Sequence, residues 1–447
     1  MDFKNKKVLI FGLGRYREGS GVSAARFFIR RGARVTVTDM KTARELRETV
    51  AMVRGKVTLH LGGHKMEDVR AADIIMRNPG VPHDSPYLAQ ARRLHIPIYT
   101  DASLFMMLAP CPVIGVTGTR GKSTTTALIG EIVKRKNKKT FVGGNIQRSP
   151  LTFLDKLDTN SLVVLELSSW LLESFADIKK SPQIAVVTNI YPDHLNVHGS
   201  MRAYIRAKEN IFRFQKSGDL LFLNQDNPDT RDMKKRAAHG VYFSVKNVPS
   251  WLDWGNVTLA GDHNKSNVLA AVVVALAVGV PQKEIGAVLK SFRGLSSRQE
   301  IVRVVRGVTW VNDTTATTPE ATIAALHRFA PNGKIILIAG GTDKKLQFGA
   351  LAREIKKQCK SVILFDGTAT VKLMRELGIM NYELGITIVR TMADAVRRTQ
   401  KIAERGDVIL LSPGAASFGL FKNEFDRGDQ FFREVKRITP PRLPLPR

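Results

Sequence analysis

Cysteine is nearly missing from this chain: Cys111 and Cys359 are its only two in 447 residues. Two thiols build no disulfide framework, and they stand in no metal-ligand spacing, so a reducing compartment is expected. Long apolar runs are missing too. The longest, Val268 to Val280, is 13 residues, too short to cross a bilayer and suited to a buried helix. The opening stretch MDFKNKKVLIFGLG has neither the apolar core nor the cleavage site of a secretory signal, which points to a cytoplasmic chain without a transmembrane segment. Aromatic residues make up only 7%, and they form no platform with basic residues, so no nucleic-acid partner is expected. Acidic residues are scarce beside basic ones: 40 against 69 leaves a net charge of +29. That balance suits polyanionic partners. The basic residues are nonetheless scattered, with short clusters such as Lys134-Arg135-Lys136 and Lys234-Lys235-Arg236, and read as a solvated surface. The end ITPPRLPLPR reads as a short flexible tail.

What is present is an alternation of short apolar strands with amphipathic helices, the signature of parallel α/β sheets. Strands are expected at Lys7 to Phe11, Arg34 to Thr38 and near Asp73 to Met76, with a helix over Gly21 to Arg31. A second series starts at Val113 to Val116 and continues through Leu162 to Glu166 and Ile184 to Thr188. A third follows Gly294, with strands at Val308 to Val311, Ile335 to Ile338, Ser361 to Phe365 and Val408 to Leu411. The fold class is therefore α/β in three domains: 1–108, 109–298 and 299–447, with a hinge near Ser296-Ser297-Arg298.

The strongest motif runs from Thr117 through Gly118, Thr119, Arg120 and Gly121 to Lys122, Ser123 and Thr124. A strand precedes it and a helix follows. Glycines let backbone N–H groups wrap an anion, and the helix N-terminus adds partial positive charge. Lys122 would reach the β- and γ-phosphates of ATP, and the Ser123 hydroxyl would ligate Mg²⁺. Val116 stands where the strict phosphate-loop pattern has glycine, so this is the shorter Gly-x-x-Gly-Lys-Ser form. A glycine turn that merely caps a helix is the competing explanation.

The loop at Gly12-Leu13-Gly14 is weaker, because Arg17 occupies the place of the third glycine of a dinucleotide fingerprint. Gly19 and Gly21 come later, as if the turn were lengthened, and Asp39 lies 25 residues after Gly14, where a ribose-binding acid is expected. Nicotinamide, another nucleotide and a structural turn all remain open. Glu166, at the end of a strand and followed by Leu167-Ser168-Ser169, is placed for a second metal contact or an orienting role. Asp193 and His194 share a loop and suggest metal or phosphate, although a lone histidine is more often structural. Lys208, on an amphipathic helix, reads by itself as solvated surface.

In order, these segments resemble the Mur ligase family: TGTRGKSTTT, GGN at Gly143 to Asn145, ELSS from Glu166, DHLN from Asp193, AK at Ala207-Lys208, GDHNKSN from Gly261, SSR from Ser296, NDTTAT from Asn312, GGTDK from Gly340 and LSPGAASF from Leu411. The resemblance implies a Rossmann-like domain for a uridine nucleotide, a central phosphate-loop ATPase domain and a Rossmann-like amino-acid domain, which close on one another. It implies an amide ligase of peptidoglycan precursor synthesis, working as a monomer through an acyl phosphate. ATP and two Mg²⁺ ions are implied, with UDP-N-acetylmuramoyl-L-alanine and D-glutamate as substrates. Ser123 and Glu166 resemble ligands of one magnesium, and His194 with Lys208 those of the other, Lys208 being N-carboxylated. Lys122, Glu166, His194 and Lys208 then form the catalytic set. Asn264, Arg298 and Asp313 resemble contacts to adenine, phosphate and ribose. Gly14, Asp39, Asn145 and Ser168 are implied on the acceptor, and Thr317, Lys344, Ser417 and Phe418 on D-glutamate. Four features depart from the family: Thr314-Thr315 replace a Ser-Lys pair, Asn196 an Asp, Gln147 a Gly, and Arg15, Tyr16 and Arg17 lengthen the first loop. Sister ligases, folylpoly-γ-glutamate synthase and a nucleic-acid-dependent ATPase are the rival readings.

Overall fold

The structure, a computed structural model, describes residues 1–145, 148–237, 239–259, 261–343, 346–378, 385–417 and 419–438, without the side chains of Asn196, Asp262 and His263. Gln147, Lys344 and Phe418 lie outside the described residues, as does the side chain of Asn196. The chain forms two compact units, Met1–Phe292 and Arg293–Arg447.

The first unit holds two parallel sheets. One comprises β1 (Lys7–Phe11), β2 (Arg34–Asp39), β3 (Thr58–Leu61), β4 (Ile74–Arg77) and β5 (Ile98–Tyr99) in the order β3-β2-β1-β4-β5. The other comprises β6 (Val113–Thr117), β7 (Thr140–Gly144), β8 (Leu162–Glu166), β9 (Ile184–Val187), β10 (Leu220–Asn224) and β11 (Val241–Phe243) in the order β11-β10-β9-β6-β8-β7. Central strands such as VIGVT of β6 and IAVV of β9 are buried along their whole length, as strands covered on both faces must be. One apolar core runs from Phe27 and Phe28 on the helix Ser20–Arg30, through Phe105 and Phe153, to Leu165 and Phe175. That continuous core unites the two sheets in a single body.

The second unit is built on β12 (Glu300–Val305), β13 (Val308–Asn312), β14 (Ile335–Gly340), β15 (Cys359–Phe365), β16 (Gly385–Val389) and β17 (Val408–Leu411), ordered β12-β13-β17-β14-β15-β16. Only the edge pair β12 and β13 is antiparallel; the other pairs are parallel. Apolar cores cover both faces of this sheet.

Parallel strands align their carboxyl ends, and ligands of such sheets bind there, where strand order reverses. In the first sheet the reversal falls between β1 and β4, at the Gly12–Gly14 loop. In the second, β6 lies between β8 and β9, so Thr117, Glu166 and Thr188 emerge side by side. The run Val268 to Val280 falls mostly within the buried helix Asp262–Ala277, as its length requires.

Candidate functional site

The loop after β6 turns into the helix Lys122–Lys136 at Gly121, whose φ of 78° is left-handed. A Cβ there would also sit 2.1 Å from Asn267 Oδ1, so only glycine fits. No side chain caps this helix, as none caps the helix Ser20–Arg30 behind the first glycine loop. An uncapped helix N-terminus behind a glycine loop is a prepared anion site. The loop is held from behind: Thr119 N donates to Asn189 O (2.8 Å), Arg120 N to Asn189 Oδ1 (2.8 Å), and Thr188 Oγ1 to Arg120 O (2.7 Å). Lys122 Nζ donates to the carbonyls of Gly118 (3.0 Å) and Thr119 (2.9 Å), which keeps its charge at the loop. Ser123 and Thr124 occupy the first helical turn.

Lys208 corrects the expectation of a solvated lysine. It is 1% exposed, and its Nζ donates to Gly118 O of the phosphate loop at 2.8 Å. Its amine also lies 4.7 Å from the centre of the Tyr204 ring. Among the described residues no carboxylate forms an ion pair with it. Burial pushes its amine well below the ordinary lysine range; the Lys122 charge adds to this, and Asp193 and Glu166 oppose it. Burial thus works against the charged form of this lysine.

Glu166 ends β8 and is 2% exposed. Its Oε1 accepts from Asn145 Nδ2 at 3.2 Å, while its Oε2 is buried without a partner. An orphaned buried carboxylate oxygen costs free energy and calls for a cation. His194, with a left-handed φ of 53°, lies 5.4 Å from Trp170 ring to ring. Burial lowers its pKa; Asp193 opposes that, and Lys122 and Lys208 reinforce it. The neutral imidazole is the form that ligates metal. Among the described residues no three His, Cys, Asp or Glu side chains converge into a closed cage. Magnesium takes one or two carboxylates and completes its shell from phosphate and water. The Glu166 carboxylate, with its unpartnered oxygen, suits such a partial donor set.

At the first sheet, Asp39 Oδ2 accepts from Leu13 N (2.9 Å) and Gly14 N (3.2 Å), and Oδ1 from Lys41 N (2.9 Å). The lengthened turn has a clear packing reason. The helix starts at Ser20, and a Cβ on Gly21 would meet the carbonyls of Gly12 and Leu13 at 2.3 Å, so Gly21 serves the helix-packing purpose of the third fingerprint glycine. Asn145 bonds Glu166 through both its side chain and its backbone N, and Ser168 caps the helix Ser169–Ile178. Asn264 is buried and accepts from Asn267 Nδ2 at 2.9 Å.

In the second unit, Asp313 follows β13, is 3% exposed, and accepts from Ser412 Oγ (2.8 Å) and Gln299 N (3.1 Å). Burial raises its pKa to about 7 against the pull of those bonds and of Arg298 and Arg328. Arg298 is exposed and Thr317 half-buried, while Ser417 Oγ is buried without a partner. Near the Thr314-Thr315 departure stands a residue that sequence reasoning missed. Arg427 is fully buried, bonding Thr314 Oγ1 (3.0 Å), Thr314 O (2.9 Å) and Ala415 O (3.4 Å), and burial pushes it down to about 9. Asn189, Asn267, Tyr204 and His198 were missed as well. Asn267 was seen only as the end of GDHNKSN, and each of the four matters through a contact distant in sequence.

Three family models match the chain: "Mur ligase MurD-like, N-terminal domain" over residues 6–100, "Mur ligase middle domain" over 116–258, and "Mur ligase, glutamate ligase domain" over 297–414. The chain is 41% identical to the UDP-N-acetylmuramoylalanine--D-glutamate ligase of Roseiflexus sp. (strain RS-1), over 98% of this chain and 100% of that one. It is 36% identical to the ligase of the same name from Borreliella afzelii, over 98% and 99%. Among solved structures it shares the fold of the UDP-N-acetylmuramate-alanine ligase of Thermotoga maritima, with TM-score 0.62, 19% identity and coverage of 97% and 99%. A second fold match is the MurF ligase of Thermotoga maritima, solved in complex with ADP, with TM-score 0.57, 19% identity and coverage of 97% and 98%. Among the described residues no helix is long and apolar enough to cross a membrane.

Proposed function

The chain belongs to the Mur ligase family, and we propose that it joins D-glutamate to UDP-N-acetylmuramoyl-L-alanine at the expense of ATP, as a cytoplasmic monomer in peptidoglycan precursor synthesis. One observation carries the site assignment. A buried lysine without a carboxylate partner, Lys208, stands 2.8 Å from the phosphate loop, in a site where Glu166 keeps an orphaned oxygen.

The uncapped helix and Gly118 to Thr124 hold the phosphates of ATP, and Lys122 offsets charge on the transferring phosphoryl group. The acceptor's carboxylate attacks the γ-phosphorus and ADP leaves. The D-glutamate amine then attacks the acyl phosphate, releasing inorganic phosphate as the amide forms. Two Mg²⁺ ions, held by Ser123 and Glu166 and by His194 and Lys208, supply charge neutralisation when bound. Conversion of Lys208 to a carbamate by CO₂ would turn a buried cation into an oxygen donor. Asp39, Gly14, Asn145 and Ser168 are assigned to the acceptor side. The strand order β3-β2-β1-β4-β5 supports a Rossmann-like reading of that sheet, while the anchored carboxylate of Asp39 suits the hydroxyls of a nucleoside better than a phosphate against the Gly12–Gly14 loop. Asn264, Arg298 and Asp313 are assigned to the adenosine and phosphate contacts, and Thr317, Lys344, Ser417 and Phe418 to D-glutamate.

The test is phosphate release from ATP with UDP-N-acetylmuramoyl-L-alanine and a panel of amino acids. Release with D-glutamate alone is expected. Release with L-alanine, diaminopimelate or a dipeptide would point to a sister ligase, and release that depends on DNA or RNA would sink the ligase reading.

A further inference from the structure

A set of buried and half-buried polar side chains in the first unit belongs neither to the phosphate loop itself nor to the assigned substrate contacts. It begins at Arg77, the last residue of β4, which is 5% exposed. Arg77 directly precedes Asn78, whose side chain donates to the carbonyl of Gly12 in the first glycine loop at 3.2 Å. The Arg77 guanidinium crosses to the helix Ser169–Ile178. There its NH2 lies 3.6 Å from Glu173 Oε2 and 3.5 Å from Trp170 O. The other Glu173 oxygen lies 3.4 Å from His198 Nδ1, and His198 Nε2 is 3.0 Å from Ser169 Oγ. The His198 side chain is only 3% exposed. Its ring stands 5.3 Å from that of Tyr204, which is 1% exposed. Tyr204 then meets the reaction site twice. Its hydroxyl is 3.1 Å from Thr119 Oγ1 in the phosphate loop, and its ring packs against the Lys208 amine.

Contiguous side-chain contacts therefore lead from the crevice of the first sheet to the phosphate loop of the second. Stability alone accounts poorly for them: the Arg77–Glu173 contact is long and its carboxylate part-exposed, a kind of pair that adds little net free energy. Packing and hydrogen bonding along such a path do fix geometry. Thr119 is the sensitive end, because its hydroxyl also accepts from Tyr191 N at 2.9 Å. A displaced Tyr204 would disturb the phosphate loop and the seat of Lys208 together.

We propose that Arg77, Glu173 and His198 form a positioning chain that fixes Tyr204, and through it Thr119 and the Lys208 amine, against the acceptor-binding crevice. None of the three touches reacting atoms. The proposal deepens the ligase reading and rests on it.

The test is a double-mutant cycle on the full chain with ATP, UDP-N-acetylmuramoyl-L-alanine and D-glutamate. His198→Ala should lower kcat about 30-fold and Tyr204→Phe about 10-fold, the size of effect expected from a small misplacement. The KM for D-glutamate should stay within about twofold, and the double variant should be no worse than His198→Ala, because both changes break one path. His198→Asn, which keeps a donor, should recover part of the loss. A folded His198→Ala protein with parental kcat, or a double variant whose loss is the product of the single losses, would overturn the proposal. Should His198→Ala fail to fold, Glu173→Gln carries the test at nearly constant volume. It should lower kcat at least fivefold, and parental kcat would again overturn the chain. A parent enzyme inert with D-glutamate would bring down the ligase reading itself, whereas an active parent with indifferent variants would bring down the positioning chain alone.

Discussion

Two glycine loops stand at the carboxyl ends of the first strands of two parallel sheets, and their polar surroundings differ. In the loop after β1, the N–H groups of Leu13 and Gly14 are bonded to the protein's own Asp39 carboxylate. In the loop after β6, the backbone is braced from behind by Asn189 and Thr188, and two amines, Lys122 and Lys208, bond the loop carbonyls, whereas the helices behind both loops lack a side-chain cap. A glycine pattern thus announces a tight turn and no more. What occupies the turn's donors, and which charge stands beside it, decide whether phosphate is welcome.

The comparison breaks most readily at the second loop. On the proposed role of Lys122, Lys122→Ala should cost at least ~10³-fold in kcat, because the phosphate loop loses a cation held against its carbonyls; steady-state phosphate release measures this, and retained turnover would remove the loop from the chemistry. Lys208→Ala should cost about 10²- to 10³-fold and be partly restored by short-chain carboxylic acids, which would supply the missing oxygen donor. Titrating formate or acetate into the variant decides it, and absence of rescue counts against the carbamate.

At the first loop, Asp39→Ala should be milder, raising the KM for the uridine nucleotide acceptor about tenfold with kcat within about threefold, if that loop serves the proposed acceptor binding alone. The smallest effect lies outside both loops, at Asp313. Its folded pKa of about 7 lies above the ordinary 3.8, so on raising the pH the unfolded chain gives up its proton first. The stabilisation present below about pH 4 therefore fades between pH 4 and 7. Melting of the ligand-free protein from pH 5 to 7.5 should show the parent losing roughly 5 °C relative to Asp313→Asn. Parallel curves would contradict the buried, neutral acid.

The two loops were also unequally legible in the sequence. The phosphate loop is contiguous, so strand, turn, Lys122 and Ser123 could be read together, and β8 and β17 fall where their apolar runs place them. Short or edge strands were missed, β5 with two residues and the half-exposed β12, and so were β10 and β11 between the second and third series, although β10 carries the apolar run LLFLN. Lys208 failed as a residue-by-residue reading because burial is decided by Gly118, some ninety positions away in sequence; only the family resemblance singled it out. Asp39 was placed correctly at the end of its strand, but its bonds to Leu13 and Gly14 depend on how β1 and β2 pair. The lengthened turn could be seen, while its reason, the packing of Gly21 against Gly12 and Leu13, required coordinates.

The central claim is that the loop from Thr117 to Ser123 activates a carboxylate. It is tested most directly by labelling the terminal carboxylate of UDP-N-acetylmuramoyl-L-alanine with ¹⁸O and following the isotope through one turnover with D-glutamate. Attack on the γ-phosphorus predicts one ¹⁸O in the released inorganic phosphate. Phosphate free of label, or label in AMP, would contradict it.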